Sequence, residues 1–291
     1  MRPTVTGPTA VAARSVRHAR AHPLAASVGA ADRAVDWVSF VLDDVCGGQW
    51  HRCERVLRDP DFFAAWRATL AARLSEQYGE VPERTSAGYV LQWYLGVPAH
   101  VGAMLFHFAR RVPSLEPRRL AFRLEPACVE AVALRPGTFW CLPGDLDAAH
   151  PDAIVVADDV ELGRVLRLQV VGHAARFLGV FGPTVRFGRH TLWAAVTDVI
   201  DAGLLRAGRA RGDEAAGAAD ARLVLAERFA PLTSASTAHT VTDEHGCTHW
   251  TRQRGSCCFH YALPGAPKAC VTCPRVDDAE RVGILGKLGG N

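Results

Sequence analysis

The spacing of apolar residues predicts helices near the start of the chain. Apolar residues from Val35 to Val45 recur at helical spacing, and Ser27 is placed to cap a helix that carries them. A second helix is expected to begin at Asp59-Pro60, with its large apolar residues on one face, and to end at Gly79. The aromatic residues of this second helix are most simply core residues.

The next part of the chain changes from helical spacing to alternation. A third helix is expected from about Thr85 to Arg111, where Pro98 would kink or divide it and Pro113 would terminate it. From Arg118 to Cys141, apolar residues alternate with other residues and Pro136-Gly137 marks a turn. This pattern predicts two or three antiparallel strands.

Helical spacing returns after these strands. Apolar residues from Leu162 to Phe181 mark one helix, and a second helix runs through Trp193 to Leu204. A further helical pattern follows from Asp213 to Phe229, before a Ser/Thr-rich connection. The predicted fold class is α+β, predominantly helical, with a small antiparallel sheet in the middle and a cysteine-rich segment at the C-terminus.

Composition describes an ordinary globular chain of 291 residues, with 49% hydrophobic and 22% charged residues. The net charge of +3 is spread along the chain instead of forming a basic stripe, which argues against nucleic-acid binding. The best apolar stretches, Val90 to Phe108 and Val165 to Phe181, are interrupted by polar residues or proline, so no membrane span is expected. The N-terminus lacks the pattern of a secretory signal, and we expect a soluble, cytoplasmic protein.

The nine cysteines are unevenly distributed. Four of them lie in the seventeen residues from Cys257 to Cys273, as an adjacent pair, eleven residues, and then Cys270-x-x-Cys273. In a reducing compartment, such crowding more often indicates metal binding or catalysis than structural disulfides. The sequence assigns no role to the five scattered cysteines, which are Cys46, Cys53, Cys128, Cys141 and Cys247.

The clustered cysteines form a chelating pattern, but their spacing alone does not decide the metal. Cys270-x-x-Cys273 can curl around a metal ion, and the turn from Leu263 to Pro267 brings the adjacent pair back towards it. Four thiolates suit a structural zinc ion, although such sites usually combine two Cys-x(2–4)-Cys units. An adjacent pair suits a two-iron cluster, in which two metals share four thiolates. A [2Fe–2S] cluster, a structural zinc and a thiol–disulfide role therefore all stay open.

The cysteine pattern resembles the C-terminal signature of the FhuF-type ferric-siderophore reductases, in which two adjacent cysteines and a Cys-x-x-Cys unit hold a [2Fe–2S] cluster. The gap of eleven residues is slightly longer than that family's, and the extra residue is expected in the Pro-Gly-Ala-Pro turn. The stretch from Arg189 to Trp193 is similar to an Arg-x-x-Leu-Trp stretch of the family. The resemblance implies four cluster ligands: Cys257, Cys258, Cys270 and Cys273.

The resemblance implies an oxidoreductase that donates one electron to a Fe(III)-siderophore, with hydroxamate siderophores as the expected class, and so releases Fe(II) in the cytoplasm. Hard oxygen donors hold Fe(III) more tightly than Fe(II), so reduction frees the metal. The sequence contains no nucleotide-binding or hydrolase motif. Electrons are therefore expected from a separate protein such as a ferredoxin, a flavodoxin or a reductase, and peripheral association with siderophore import is a further expectation.

Two alternatives to a reductase come from other classes of protein. One is a [2Fe–2S] electron carrier or redox sensor that has no chelate site. The other is a zinc-stabilised binding protein. Visible absorption that bleaches on reduction would separate the iron–sulfur proteins from the zinc protein.

Residues beside the cysteines are candidates for substrate binding. Positive charge there would offset the thiolates, and aromatic residues would pack against a ferric chelate. We expect a pocket for a ferric chelate beside the cysteines. The residues expected at its rim are Trp250, Arg252, Arg254 and Arg275. Lys268 adds to the positive charge. The flanking His245, His249 and His260 are expected in surface or supporting roles, because four cysteines already complete a ligand set.

Three segments are predicted along the chain. Residues 1–22 form a flexible N-terminal tail, and residues 23–150 form a helical lobe that ends in short strands. Residues 151–291 form a second helical lobe, which includes the cluster-binding segment at about residues 245–275.

Overall fold

The computed structural model of the protein describes residues 21–45, 47–59, 61–267 and 269–289, with side chains described as far as residue 285. Cys46, Pro60, Lys268 and residues 1–20 of the predicted tail lie outside the described residues. Helices predominate over small sheets in the described part, which confirms the predicted α+β class. None of the described helices combines the length and apolar character needed to cross a bilayer.

The elements follow one another in a mixed order. The helices are α1 (Leu24–Ala34), α2 (Cys53–Val56), α3 (Phe62–Tyr78), α4 (Glu83–Ala109), α5 (Asp159–Phe181), α6 (Arg189–Ala210), α7 (Glu214–Val224) and α8 (Asp278–Gly289). The strands are β1 (Ser39–Leu42), β2 (Trp50–Arg52), β3 (Arg111–Pro113), β4 (Leu120–Glu125), β5 (Cys128–Leu134), β6 (Phe139–Cys141), β7 (Ala153–Val155), β8 (Ala238–Thr242) and β9 (Thr248–Arg252).

The largest sheet has the strand order β1-β5-β4-β2. β4 and β5 pair antiparallel, which confirms the strands predicted from alternation. β1 pairs parallel with β5 and places Phe40 opposite Val132. The sequence pattern did not predict this strand pairing. β3, β6 and β7 form a second sheet, and β8 and β9 form a hairpin that leads directly into the cysteine-rich segment.

The helix predicted from Val35 to Val45 is wrong. α1 ends at Ala34, and the apolar run contains strand β1 instead. The run is rich in β-branched and aromatic residues, which favour a strand once β5 provides a partner. Asp32 accepts a hydrogen bond from the backbone N–H of Phe40 at 2.8 Å, which holds the turn between helix and strand. Ser27 lies buried inside α1 instead of capping a helix.

Most other helix predictions are confirmed. α3 ends at Gly79, whose positive φ of 78° suits a residue without a side chain. α4 continues through Pro98 without being divided. α5 and α6 lie where helical spacing predicts them, and the Asp158 carboxylate caps the first turn of α5. α7 is shorter than expected and ends at Val224 instead of Phe229.

α4 and α6 pack closely against each other in the core. An added Cβ at Gly203 of α6 would lie 3.0 Å from the Cβ of Ala103 and 3.3 Å from the carbonyl oxygen of Ala99, so this glycine permits the approach. The cysteine-rich segment lies against the same helix pair, through Gly88 of α4 and Asp198 of α6. One apolar core extends from α1 through α7, and the division into lobes at residue 150 stays a prediction.

Candidate metal centre

The cysteine-rich segment has little regular structure and is held by hydrogen bonds to its backbone. The N–H of Arg254 donates to the carbonyl of Thr272 at 3.1 Å and joins the two ends of the segment. Arg281 of α8 is only 1% exposed. Its guanidinium group donates to three carbonyl groups, those of Arg252, Val271 and Val276. Sequence reasoning missed Arg281, because no local pattern marks an arginine as buried.

The structure brings all four clustered cysteines to one small cavity: Cys257, Cys258, Cys270 and Cys273. The turn at Leu263 to Ala266 folds the adjacent pair back towards the Cys-x-x-Cys unit, as the sequence predicts. Cys273 is buried and the other three thiols are half-buried. Arg254, His260 and Tyr261 also line this cysteine cavity.

The spread of the sulfur atoms fits a two-iron cluster better than a single zinc ion. Around one tetrahedral zinc with Zn–S bonds of about 2.3 Å, all four sulfurs would lie about 3.8 Å from one another. No three of these four described cysteines bring their sulfurs mutually within 4.8 Å. A two-iron cluster divides four thiolates between two metals and accommodates the wider spread.

The backbone after the cysteine pair presents a hydrogen-bond donor to sulfur. Phe259 has a φ of 58°, a left-handed conformation that residues with side chains rarely adopt. Its N–H donates to the Sγ of Cys257 at 3.3 Å. The Phe259 ring stacks on Phe187 with centroids 5.5 Å apart, which holds the residue in place. A Cβ at Gly88 would come 3.2 Å from the carbonyl oxygen of Cys258, so this glycine lets α4 pass close beneath the pair.

Arg254 supplies positive charge to the cysteine cavity and is only 8% exposed. Hydrogen bonding from Cys258, helped by the charge of Arg254, lowers the pKa of Cys270. The same hydrogen bond raises the pKa of Cys258, because Cys258 keeps the shared proton. Burial raises the pKa of Cys257. Metal binding requires deprotonated thiols, so iron must displace protons from the buried cysteines.

Asp198 of α6 anchors the start of the cysteine-rich segment. Its carboxylate accepts hydrogen bonds from the N–H of Gly255 at 2.8 Å, and from the N–H and hydroxyl of Ser256 at 2.9 and 2.5 Å. The guanidinium groups of Arg252 and Arg254 lie 3.6 and 3.7 Å from the same carboxylate. Asp198 is 5% exposed, so these contacts form in a largely dry environment. Its role was not visible in the sequence.

The three flanking histidines take different positions. His260 lines the cysteine cavity, and its Nδ1 lies 2.7 Å from the hydroxyl oxygen of Tyr89. His249 pairs with Asp243 at 2.8 Å, and His245 is exposed at the tip of the hairpin. Neither of the last two lines the cysteine cavity.

The four residues predicted to bind substrate do not share one site. Arg254 lines the cysteine cavity, whereas Arg252 lines a separate, larger cavity, and both are buried instead of forming a rim. Trp250 packs under the guanidinium group of Arg222, and Arg275 stacks over Tyr261 with its Cζ 4.2 Å from the ring centroid. The predicted rim is therefore divided between the two cavities and the adjoining surface.

The larger cavity, called the arginine cavity below, has a volume of about 700 Å³. It lies between the end of α1, the helices α4 and α6, and strand β5. Its charged and aromatic lining includes Trp37, Trp93, Arg206, Arg209 and Arg252. Sequence reasoning missed it because its walls come from segments far apart in the chain.

The scattered cysteines that the structure describes lie away from the cysteine cavity. Cys53 and Cys141 are buried, and Cys128 and Cys247 are exposed. Cys128 lies on the wall of the arginine cavity.

A second group of side chains that could bind a metal ion consists of His22, His150 and Asp152, whose ligand atoms lie within 4.8 Å of one another. Its hydrogen bonds argue against metal binding. The Nδ1 atoms of His22 and His150 both accept backbone N–H groups, at 3.2 and 3.1 Å. In a neutral imidazole the proton then sits on Nε2, the atom that would have to bind the metal. The Nε2 of His22 instead contacts the Asp152 carboxylate at 3.2 Å, and the group ties the N-terminal segment to the loop before β7.

Comparison with known families identifies the cysteine-rich segment. Residues 254–275 match the family model described as the FhuF 2Fe-2S C-terminal domain. The match includes all four clustered cysteines and the buried Arg254. No curated protein matches the chain. The resemblance inferred from the cysteine pattern is therefore confirmed for this segment, which matches a [2Fe–2S]-binding C-terminal domain of the FhuF type.

Proposed function

We propose that this protein is a ferric-siderophore reductase that donates one electron to a Fe(III)-siderophore in the cytoplasm. The observation that carries the proposal is the FhuF-type [2Fe–2S] domain, packed against a helical body that contains a cavity of about 700 Å³. Cavities that hold small ligands typically measure about 300–1,000 Å³. A simple electron carrier has no need of such a cavity.

The proposed ligands are the four cysteines that line one cavity: Cys257, Cys258, Cys270 and Cys273. When bound, the [2Fe–2S] cluster supplies one-electron transfer. Arg254 offsets the negative charge of the thiolates, and the N–H of Phe259 donates to one sulfur. Arg281 and Asp198 hold the segment in place through its backbone.

Electron transfer to the chelate requires no further catalytic side chain. One electron enters from a separate donor, for which a ferredoxin, a flavodoxin or a reductase is proposed, and it leaves on the iron of the chelate as Fe(III) becomes Fe(II). Hydroxamate oxygens are hard donors and hold Fe(II) weakly, so no ligand bond has to be broken by the protein. The protein binds the chelate and keeps it close to the cysteine segment.

The carrier and sensor alternatives keep the cluster but lack a chelate site. The arginine cavity favours the reductase over both, because it is adjacent to the cysteine segment through Asp198. The zinc alternative is disfavoured by the spread of the sulfur atoms.

The test is performed on the full chain, purified anaerobically and assayed for iron and acid-labile sulfide. The reduced protein is mixed with ferric hydroxamate siderophores while visible absorption follows re-oxidation and a Fe(II)-specific chelator reports released iron. We expect re-oxidation faster than with a small unrelated oxidant of similar potential, accompanied by one Fe(II) per electron. Re-oxidation at the rate of that control oxidant, with no Fe(II) released, would support a carrier or sensor.

A further inference from the structure

We propose that the arginine cavity is the chelate-binding site and that it selects ferric chelates with a net negative charge, through Arg206 and Arg252. The inference rests on the proposed function for the identity of the ligand. It adds the location of the site and the charge of the substrate. The tris-hydroxamate core of a ferric chelate is neutral, so the selected charge belongs to acidic groups on its periphery.

The balance of charges in the cavity is positive. Its lining contains three guanidinium groups, those of Arg206, Arg209 and Arg252. Among the described residues it contains only two carboxylates, those of Asp36 and Asp198. Asp198 is already engaged by the backbone of the cysteine segment, and Asp36 is exposed to solvent. Arg209 pairs with Glu214, outside the cavity. Arg252 shares the single charge of Asp198 with Arg254, so Asp198 cannot neutralise both. The excess positive charge of the cavity therefore comes from Arg206 and, in part, from Arg252.

Arg206 is the most available cation of the cavity. No carboxylate of the described residues lies within 4.0 Å of its guanidinium group, which spreads over the Trp37 ring with its Cζ 5.3 Å from the centroid. It donates to the Nε2 of His100 at 3.1 Å. Burial and the neighbouring Arg206 lower the pKa of His100 to about 3. The imidazole is therefore neutral near pH 7 and neither adds to nor cancels the charge of Arg206.

Buried donors without partners indicate where a ligand would bind. Arg252 is 9% exposed, and its Nη1 has no hydrogen-bond partner among the described residues. The nearest carboxylate oxygen, on Asp198, lies at 3.6 Å, too far for a good hydrogen bond. The side-chain nitrogen of Gln92 is also buried without a partner in the described structure. Both side chains line the arginine cavity, and oxygen atoms of an anionic ligand would satisfy them.

The aromatic lining suits the organic shell of a chelate. Trp37 is 42% exposed, an unusual state for a tryptophan in a chain with a large core. Its ring is held edge-on by His100, with centroids 4.8 Å apart, and lies under Arg206. Trp93 lies on the wall of the same cavity. The aromatic faces can pack against the apolar shell of a ligand, and the neighbouring guanidinium groups can bind its acidic groups.

Asp198 connects the arginine cavity to the redox site. It lines the cavity and binds the backbone of Gly255 and Ser256, directly before Cys257. Arg252 and Arg254 flank the same carboxylate, and each lines one of the two cavities. Asp198 and its two arginines therefore form a direct structural link between the arginine cavity and the cysteine segment.

The experiment uses a series of probes that share one iron-binding core and differ in the charge of a terminal group. A linear tris-hydroxamate with a terminal amine carries one positive charge when it holds Fe(III) or Ga(III). Its N-acetyl derivative is neutral and its N-succinyl derivative carries one negative charge. The Ga(III) complexes have the same charge and size as the Fe(III) complexes but accept no electron, so calorimetric titration measures binding without redox chemistry.

We expect the affinity of the full-length protein for the Ga(III) probes to rise about three- to tenfold with each unit of negative charge, and to become less charge-dependent in high salt. Arg206→Gln should abolish most of this preference. Arg164→Gln, an exposed arginine of α5 outside the cavity, is the matched control and should leave it unchanged. Circular dichroism should show both variants folded.

Equal affinities across the series, preference for the cationic probe, or a charge preference untouched by Arg206→Gln would each overturn the inference. The proposed function fails separately. In that case the Ga(III) probes bind in order of charge, but the Fe(III) complexes re-oxidise the reduced protein no faster than the control oxidant.

Discussion

Asp198→Asn is the substitution that tests most directly how the helical body holds the redox segment. The carboxylate is 5% exposed and accepts three hydrogen bonds from Gly255 and Ser256, while two guanidinium groups lie within 4 Å. Asparagine keeps the volume and one carbonyl oxygen. It loses the charge and turns an NH₂ group towards one set of donors.

The expected loss of stability follows from these contacts. A hydrogen bond to a charged group contributes about 1.5–3 kcal/mol, and leaving a buried charge without its partner costs about 3–5 kcal/mol. Because asparagine retains part of the hydrogen bonding, we expect the free energy of unfolding to fall by roughly 3–5 kcal/mol. That is a large share of the approximately 5–15 kcal/mol available to a typical domain. The cysteine segment should also loosen, so iron content should fall.

The assay compares urea unfolding, followed by circular dichroism, with iron content and visible absorption. Asp201→Asn is the matched control, because Asp201 lies on the same helix, is 2% exposed, and binds Ser236 and Thr237 instead of the cysteine segment. It should lose comparable stability but keep its iron. If Asp198→Asn folds too poorly to purify, Ser256→Ala removes only the 2.5 Å hydroxyl contact and should lower iron content more mildly.

An Asp198→Asn protein that stays within about 1 kcal/mol of the parent and retains full iron content would show that Asp198 does not hold the cysteine segment. Equal iron loss in Asp198→Asn and Asp201→Asn would show the same, since general destabilisation would then explain both.

Three further predictions concern the cluster and the core. Single Cys→Ser substitutions should each abolish visible absorption and most of the iron when made at Cys257, Cys258, Cys270 or Cys273. Cys247 is exposed and lies outside the cysteine cavity, so Cys247→Ser should retain both. A colourless Cys247→Ser protein would make that thiol a ligand. Removal of the iron by a chelator should leave the helical circular dichroism signal nearly unchanged, because the apolar core from α1 through α7 does not include the cluster ligands. Loss of most of the signal would show that the helical body depends on the cluster. Burial lowers the pKa of His173 in the folded protein to about 4. In the unfolded chain this imidazole is protonated as pH falls below about 6.5, which favours unfolding. The free energy of unfolding should therefore drop by roughly 2 kcal/mol between about pH 7.5 and pH 5. His173→Gln should flatten that dependence in urea titrations, and an unchanged slope would show that other groups cause it.

Features that depend on neighbouring residues can be predicted from the sequence. The apolar faces of α3, α5 and α6 repeat with the helical period, and the residues that begin or end helices, such as Asp158 and Gly79, act within one turn. The cysteine pattern is equally local, because chelation depends on short spacings and on the turn between the two pairs. These signals predict the fold class and a metal-binding cysteine segment, and the resemblance of the cysteine pattern to the FhuF type adds the iron–sulfur cluster.

Features whose partners lie far apart in the chain depend on the tertiary structure. The apolar run after α1 fits a helix or a strand by its pattern, and it becomes β1 because β5, some ninety positions later, offers a parallel edge. Asp198 and Arg281 look like ordinary surface charges in the sequence, yet both are buried because they satisfy backbone groups of the cysteine segment. The arginine cavity arises from helices and strands that meet only in the folded chain. Periodicity and spacing report the first few neighbours of a residue, whereas burial and charge pairing depend on which distant segments pack together.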